Sequence, residues 1–350
     1  MNLKTNSLLA KTFLLSVLLV SVSACKKETS KETDITTTQD SVAVEAPLAS
    51  WNEGQNKQTI LDYVKDVTTE GSANFVPVAD RIATFDNDGT LWSEQPVYFQ
   101  LFFVMDRIKV LAKDHPEWKD KQPYKSVLEN NMPELMKQGK KGLVELLMTT
   151  HAGMSSEEFE KTVKDWIATA KHPTKNKPYN QLVFQPMLEL INYLKENQFK
   201  VFIVSGGGIE FMRPWAEATY GIPKDQIIGS SLKEQFETTN GTTTINKLAE
   251  LDFYDDKEGK PVAINKFIGR KPVLSAGNSD GDLQMLQYAA SNPLKNLEIY
   301  IHHTDSIREW SYDRKSPIGT FDKGWDEAKQ KGWLVIDMKN DWKVIYPGDK

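Results

Sequence analysis

The sequence predicts an α/β protein with a doubly wound, mainly parallel sheet and an inserted α-helical segment. Three observations carry that expectation. Short apolar runs of strand length alternate with stretches of helical spacing: RIATF (81–85), KVFIV (200–204), PVLSA (272–276), LEIYI (297–301) and WLVIDM (333–338). Such runs suit strands buried on both faces, as in a parallel sheet covered by helices. The first three runs each pass directly into polar, glycine-containing sequence. Between the first two runs lies an insertion of roughly 90 residues (92–184), far more than an ordinary crossover, and it reads almost wholly helical.

The elements follow in order. Lys4 and Lys11 precede Thr12–Ala24, a 13-residue uncharged run too short to span a bilayer as a helix. Basic start, apolar core and small residues are the layout of a secretory signal. The run ends in Val22-Ser23-Ala24-Cys25, which resembles the lipobox of bacterial lipoproteins. That resemblance implies a signal peptide over 1–24, diacylglycerol on the Cys25 sulfur, and an extracytoplasmic protein anchored to a bacterial membrane. An ordinary signal peptide with an incidental Cys is the plainer alternative. Each buried lipid CH₂ contributes about 0.8 kcal/mol, so two or three chains hold a domain firmly. Residues 25–50, rich in Thr, Ser, Glu and Lys, read as a flexible tether.

From Trp51 the pattern is globular. Ile60, Tyr63, Val64 and Val67 lie at helical spacing, and RIATF follows as the first strand. Val97, Leu101, Val104, Ile108 and Leu111 mark the apolar face of the first inserted helix. Ser155 to Glu158 reads as a capping box opening a helix over 159–170. Pro186 suits the first turn of a helix through Leu188, Ile191 and Leu194. The boundaries that result are 51–91 and 185–350 for the core, with 92–184 as the helical insertion. Phe99, Phe102, Phe103 and Trp166 read as apolar core of that insertion.

Composition narrows the function. Hydrophobic residues make up 39% and charged residues 26% of 350. This is too apolar for a disordered chain and too polar for a multi-span membrane protein. The formal charge of −5 argues against nucleic-acid binding, which needs a basic face. One cysteine permits no intrachain disulfide and no multi-cysteine metal site.

In an open α/β sheet, ligands bind beyond the carboxyl ends of the strands. The first strand ends in Asp86-Asn87-Asp88-Gly89-Thr90, the second in Ser205-Gly206-Gly207-Gly208, and the third in Gly277-Asn278-Ser279-Asp280-Gly281-Asp282. If the strands are neighbours, carboxylates, a hydroxyl and backbone N–H groups meet at one edge. Converging carboxylates repel unless a cation joins them, and hard oxygen ligands select Mg²⁺. A carboxylate beside the metal can attack phosphorus, and a second can protonate the leaving oxygen. Glycines let backbone N–H groups approach phosphate oxygens. DNDGT does not fit an EF-hand loop, since Leu91 stands where Gly is needed and Val97 where Glu is needed. SGGG lacks the pattern of a P-loop or a dinucleotide site.

DNDGT resembles the first motif of the haloacid dehalogenase superfamily, DxDGT. VSGGG is similar to its second motif in phosphoserine-phosphatase-like members, and GNSDGD to the GDxxxD form of its fourth. The resemblance spans about residues 75–340 and implies a Rossmannoid core with a helical cap between the first two motifs. It implies Asp86 as a nucleophile forming an aspartyl-phosphate. Asp88 becomes the general acid/base, with its carbonyl on Mg²⁺. Ser205, with N–H groups at Gly206 and Gly207, then binds the transferring phosphoryl group. Asn278 and Asp282 take the acidic positions of the fourth motif. Asn278 departs from the usual Asp, and Asp280 is a further candidate metal ligand. Lys260 in GKPVAIN fits the phosphate-neutralising lysine, with Lys257 and Lys266 as rivals. Glu94 lies where related phosphatases place a substrate-reading acid; Arg107 is a candidate reader of a substrate carboxylate, with a surface or salt-bridge role on its helix as the plainer reading. His302 and His303 read as structural, and His151 as a residue of a cap loop.

The function so implied is a Mg²⁺-dependent phosphomonoester hydrolase acting on a small phosphorylated substrate, phosphoserine-like among the candidates. Phosphotransfer to another acceptor is the enzymatic alternative. A lipoprotein that binds a phosphorylated ligand without turnover is the other. A dehalogenase needs neither the second aspartate nor the metal.

Overall fold

The computed structural model describes residues 46–349. The expected signal segment, Cys25 and most of the expected tether lie outside the described residues. No helix among the described residues is long and apolar enough to cross a membrane.

Seven strands form one sheet: β1 (Ile82–Phe85), β2 (Lys200–Gly208), β3 (Ile227–Thr239), β4 (Thr242–Phe253), β5 (Leu274–Gly277), β6 (Leu297–His302) and β7 (Leu334–Asp337). Their order is β4-β3-β2-β1-β5-β6-β7. Every neighbouring pair is parallel except the β3–β4 hairpin. The order reverses at β1, which lies between β2 and β5, and such a reversal opens a crevice at the carboxyl edge.

Alternation along the strands builds two layers. Ala83, Phe85, Val201 and Ile203 pack on one face with α1 (Gln55–Thr68) and the later helix Gln185–Glu196 through Ile60, Val64, Leu190 and Leu194. Ile82, Phe202 and Val204 pack on the other with Ala263, Met285, Leu286 and Ala328. A strand covered on both faces has no solvent side to show, hence the mainly apolar runs; the buried Thr84 and Ser275 hydroxyls within them bond each other at 2.6 Å.

Between β1 and β2 come α2 (Phe99–Leu111), α3 (Tyr124–Leu128), α4 (Met132–Lys137), α5 (Gly139–His151), α6 (Ser156–Thr169) and α7 (Gln185–Glu196). The capping box forms: Ser155 Oγ accepts from the Glu158 N–H, and the Glu158 carboxylate accepts from the Ser155 N–H. Phe103 and Trp166 meet Phe211 of α8 (Ile209–Tyr220), so the helical segment rests on the helix that leaves β2. After β4 come α9 (Gly259–Ala263), which runs on as a π turn over Ile264–Ile268, then α10 (Leu283–Ala290), α11 (Lys323–Lys331) and α12 (Met338–Asp341). Trp51 packs edge-on against Trp342, and the Asn52 N–H donates to the Asp341 carbonyl.

β3 and β4 go beyond the sequence-based expectation. Their outer halves are exposed and rich in Thr, Glu and Lys, so no apolar run marks them. Asn240-Gly241, both at positive φ, is the turn signal that betrays the hairpin. Its middle is docked rather than free. Lys247 is buried, with Nζ 2.8 Å from Glu210 Oε2 and 3.1 Å from Ser156 Oγ.

Candidate active site

The site begins where β1 stops. The Asp86 N–H donates to the Ala276 carbonyl (3.0 Å), which sews the first loop to the end of β5. The chain then turns back within six residues: Leu91 N–H bonds the Asn87 carbonyl and Gly89 N–H the Trp92 carbonyl, both at 2.8 Å. Gly89 has φ +76°, and a Cβ there would strike the Asn278 amide and the Glu94 carboxylate. Both conditions demand glycine. The turn is held from below by buried His303, whose Nε2 lies 2.7 Å from the Gly89 carbonyl and whose Nδ1 lies 3.0 Å from Glu309. That is the structural role its position suggested.

Lys260 closes the arrangement from α9. Its Nζ donates to Asp86 Oδ1 (2.6 Å), Asp282 Oδ1 (2.7 Å) and the Val204 carbonyl (2.7 Å). One ammonium thus ties the ends of β1, β2 and β5 together. Lys257 is exposed, and Lys266 lies over the Phe267 ring. Asp282 is shared: its Oδ2 accepts from the N–H groups of Asn278 and Ser279 at 2.9 and 3.0 Å. Gly277 leaves room for it, because a Cβ there would overlap the Asp282 side chain.

Four carboxylates surround that one cation. Burial, then the charges of Asp282 and Asp88, push Asp86 well above the usual carboxylate range, against the pull of Lys260. Burial likewise lifts Asp88 to about 6, although the Trp92 indole N–H and Lys260 oppose it. Burial works against the Lys260 charge, but Asp282, Asp86 and Asp255 outweigh it and its proton is held more tightly than in water. The cluster carries more negative charge than one lysine neutralises.

Ser205 is buried at the end of β2, and its Oγ accepts from the Gly207 N–H (3.1 Å). Gly206 lies beside Asp256, and Gly207 faces Asp88 Oδ2. Asn278 Oδ1 accepts from Thr90 (3.2 Å), while its Nδ2 donates to Glu94 Oε1 (2.7 Å). Glu94 also takes the Tyr312 hydroxyl at 2.8 Å. It supports Asn278 from the Tyr312 side.

Two expectations give way. Asp280 points away from the cluster: Oδ1 accepts from the N–H groups of Asp322 and Gly324, and Oδ2 from that of Lys323. It caps the start of α11, where free N–H groups attract a carboxylate. Arg107 is also consumed elsewhere, with Nε on the Thr150 carbonyl (2.9 Å) and NH2 on the Met154 sulfur (3.0 Å). His151 ends α5 rather than lying in a loop. Burial pushes its imidazole down to about 3, so it is neutral.

Sequence reading passed over two contributors. Trp92 donates its indole N–H to Asp88 Oδ1 (2.7 Å), while its ring stacks on Trp215 at 4.3 Å. Gln100, near the start of α2, accepts the Gly208 N–H at 2.8 Å and reaches His151 at 3.2 Å. Trp92 lies four residues after Asp88, which is its only local signal. Gln100 carries none, because only the docking of α2 brings it to the β2 loop. A cleft of about 1160 Å³ lined by Tyr63, Glu298 and Trp333 lies at the amino ends of the strands, away from all these groups.

The sequence profile of the haloacid dehalogenase-like hydrolases matches residues 83–287. The chain belongs to this family. No curated protein sequence matches it. Among solved structures, it is similar to a conserved protein of unknown function from Anaerococcus prevotii, with 16% identity, 82% of this chain and 93% of that chain covered, and a TM-score of 0.49. It is also similar to a protein of unknown function from Bordetella pertussis (16%, 74% and 98%, 0.45). A third is a phosphoserine phosphohydrolase-like protein from Francisella tularensis (18%, 63% and 87%, 0.36).

Haloacid dehalogenase-like hydrolases as a family use Mg²⁺, and the donor set here fits that ion. Among the described residues no three His, Cys, Asp or Glu side chains gather as a metal cluster. The residues that the resemblance assigns to the ion offer hard oxygens of mixed kind: the Asp86 carboxylate, the Asp88 main-chain carbonyl and the Asn278 amide oxygen, which accepts from Thr90. The under-neutralised carboxylates around Lys260 favour an added cation.

Proposed function

We propose that this haloacid dehalogenase-like hydrolase is a phosphomonoesterase acting on small organic phosphates. The observation that carries the reading is the Lys260 bridge, which holds Asp86 and Asp282 together at 2.6 and 2.7 Å beside Ser205 and Asp88. Asp86 attacks phosphorus in line, forming a phosphoryl ester on its carboxylate as the P–O bond to the substrate alcohol breaks. Asp88 gives its proton to the departing oxygen. It then takes one from the water that releases phosphate and regenerates Asp86. Lys260, Ser205 and the N–H groups of the glycine loop face the charge that grows on the phosphoryl oxygens. Asp86, the Asp88 carbonyl and Asn278 would hold Mg²⁺, which supplies neutralisation of the phosphoryl charge when bound. Burial of the cluster strengthens each of these interactions.

The leaving group is best neutral. Arg107, the residue suited to a carboxylate, is bonded to Thr150 and Met154, which weighs against phosphoserine. A panel of phosphomonoesters assayed with Mg²⁺ and with EDTA tests the reading. Turnover is expected with Mg²⁺ and its loss with the chelator, fastest on esters of uncharged alcohols. A folded chain that turns over nothing on the panel supports ligand binding without catalysis instead, the reading Asn278 favours by removing one negative charge.

We further propose that the chain is anchored to a membrane outside the cytoplasm through lipid on Cys25. Val22-Ser23-Ala24-Cys25 after the apolar run supports this. Cys25→Ser is expected to shift the protein from the membrane fraction to the soluble one. Unchanged fractionation defeats the anchor.

A further inference from the structure

The glycines that end β2 are only partly held by the sheet. Ser205 pairs with Gly229 of β3, but the next paired residues are Gly208 and Ser230. β2 therefore carries two residues, Gly206 and Gly207, with no partner on β3. This is a bulge, and bulges commonly re-aim groups beside functional sites. The peptide between those glycines has lost its ladder bonds.

A side chain replaces them. The Ser230 hydroxyl donates to the Gly206 carbonyl at 2.9 Å. The Asp255 N–H in turn donates to Ser230 Oγ at 3.0 Å, which leaves the serine proton for Gly206. A trans peptide is planar, so its carbonyl and N–H point in opposite directions. Fixing the Gly206 carbonyl towards Ser230 therefore aims the Gly207 N–H the other way. There it meets Ser205 Oγ at 3.1 Å, on the side where Gly207 faces Asp88 Oδ2. Gly229 permits the approach, because a Cβ there would lie 2.6 Å from the Gly207 carbonyl.

We infer that Ser230 is a positioning residue: its hydroxyl turns the Gly206–Gly207 peptide so that the Gly207 N–H is presented to the transferring phosphoryl group. The inference rests on the phosphomonoesterase reading. A preorganised donor costs no reorientation when charge develops, and losing one such donor lowers the rate by about 10²–10³-fold. Misaiming it through Ser230 costs less, since the N–H still visits the right direction.

The test uses the full chain with Ser230→Ala and Ser230→Thr, p-nitrophenyl phosphate with Mg²⁺, and orthovanadate as the phosphoryl mimic. Ser230→Ala is expected to lower kcat by about 10–100-fold with KM within about twofold, and to weaken vanadate by a similar factor. Ser230→Thr keeps the hydroxyl on a residue suited to a strand and is expected to restore both. A variant lacking the hydroxyl that keeps wild-type kcat and vanadate affinity overturns the inference. So does a loss that threonine does not rescue. If the wild-type chain has no turnover, the hydrolase reading fails by itself, and calorimetric vanadate affinity decides for Ser230. Weaker binding in Ser230→Ala upholds the positioning role, and equal binding overturns it. A wild-type chain that neither turns over nor binds vanadate overturns both.

Discussion

Asp86→Asn is expected to abolish turnover, with a loss on the order of 10⁴-fold or more. An amide of the same shape cannot attack phosphorus, so the covalent step has no substitute. The fold is expected to survive. Lys260 keeps Asp282 and the Val204 carbonyl as partners, so the buried ammonium is not stranded. One charge also leaves a cluster in which burial, Asp282 and Asp88 already raise the Asp86 proton affinity. Steady-state rates on p-nitrophenyl phosphate, read beside the melting temperature, check this. A variant that melts normally and keeps its rate takes the nucleophile role away from Asp86.

Asp88→Asn is expected to show a loss that depends on the leaving group. An alkoxide needs a proton as it departs, whereas p-nitrophenolate leaves almost unaided. For alkyl phosphates kcat/KM is expected to fall by about 10²–10⁴-fold, and for p-nitrophenyl phosphate by at least about tenfold less. The structure equips Asp88 for the donor role. Burial lifts it to about 6, against the opposing Trp92 indole N–H and Lys260, so far more of it is protonated near neutrality than of a free carboxyl. Because kcat/KM reports the steps up to alcohol release, water activation in the second half does not blur the comparison. Equal losses on both substrates exclude Asp88 as the acid.

The buried strands were legible because their environment writes itself into composition. Ile82–Phe85, Lys200–Val204 and Leu297–Ile301 are sandwiched between helices, and apolar residues predominate there, with Thr84 and Glu298 as buried exceptions. The hairpin Ile227–Phe253 was not legible for the converse reason. Water covers its outer half, so Thr, Glu and Lys suffice and only Asn240-Gly241 marks the turn. The same division runs through the site. Asp86, Asp88 and Asn278 follow the ends of β1 and β5, and Ser205 lies near the end of β2, where position alone predicts convergence. Asp280 misled because it lies in the same glycine-rich stretch yet serves the α11 N–H groups 42–44 residues away. Arg107 misled because its charge is visible in sequence and its partners, a carbonyl and a sulfur, are not. Ser230 and Gln100 act through distant backbone atoms, and nothing local distinguishes them from surface polar residues.

The seam of Trp51 and Asn52 with Asp341 and Trp342 has a consequence for biogenesis. Trp51 and Asn52 find these partners only once Asp341 and Trp342 have been made. On a ribosome, elongation at about 5–20 residues per second separates their emergence by many seconds. Until Asp341 and Trp342 appear, that flank of the nascent polypeptide stays unsealed. A chain built this way closes this flank only after every strand of its sheet has been made.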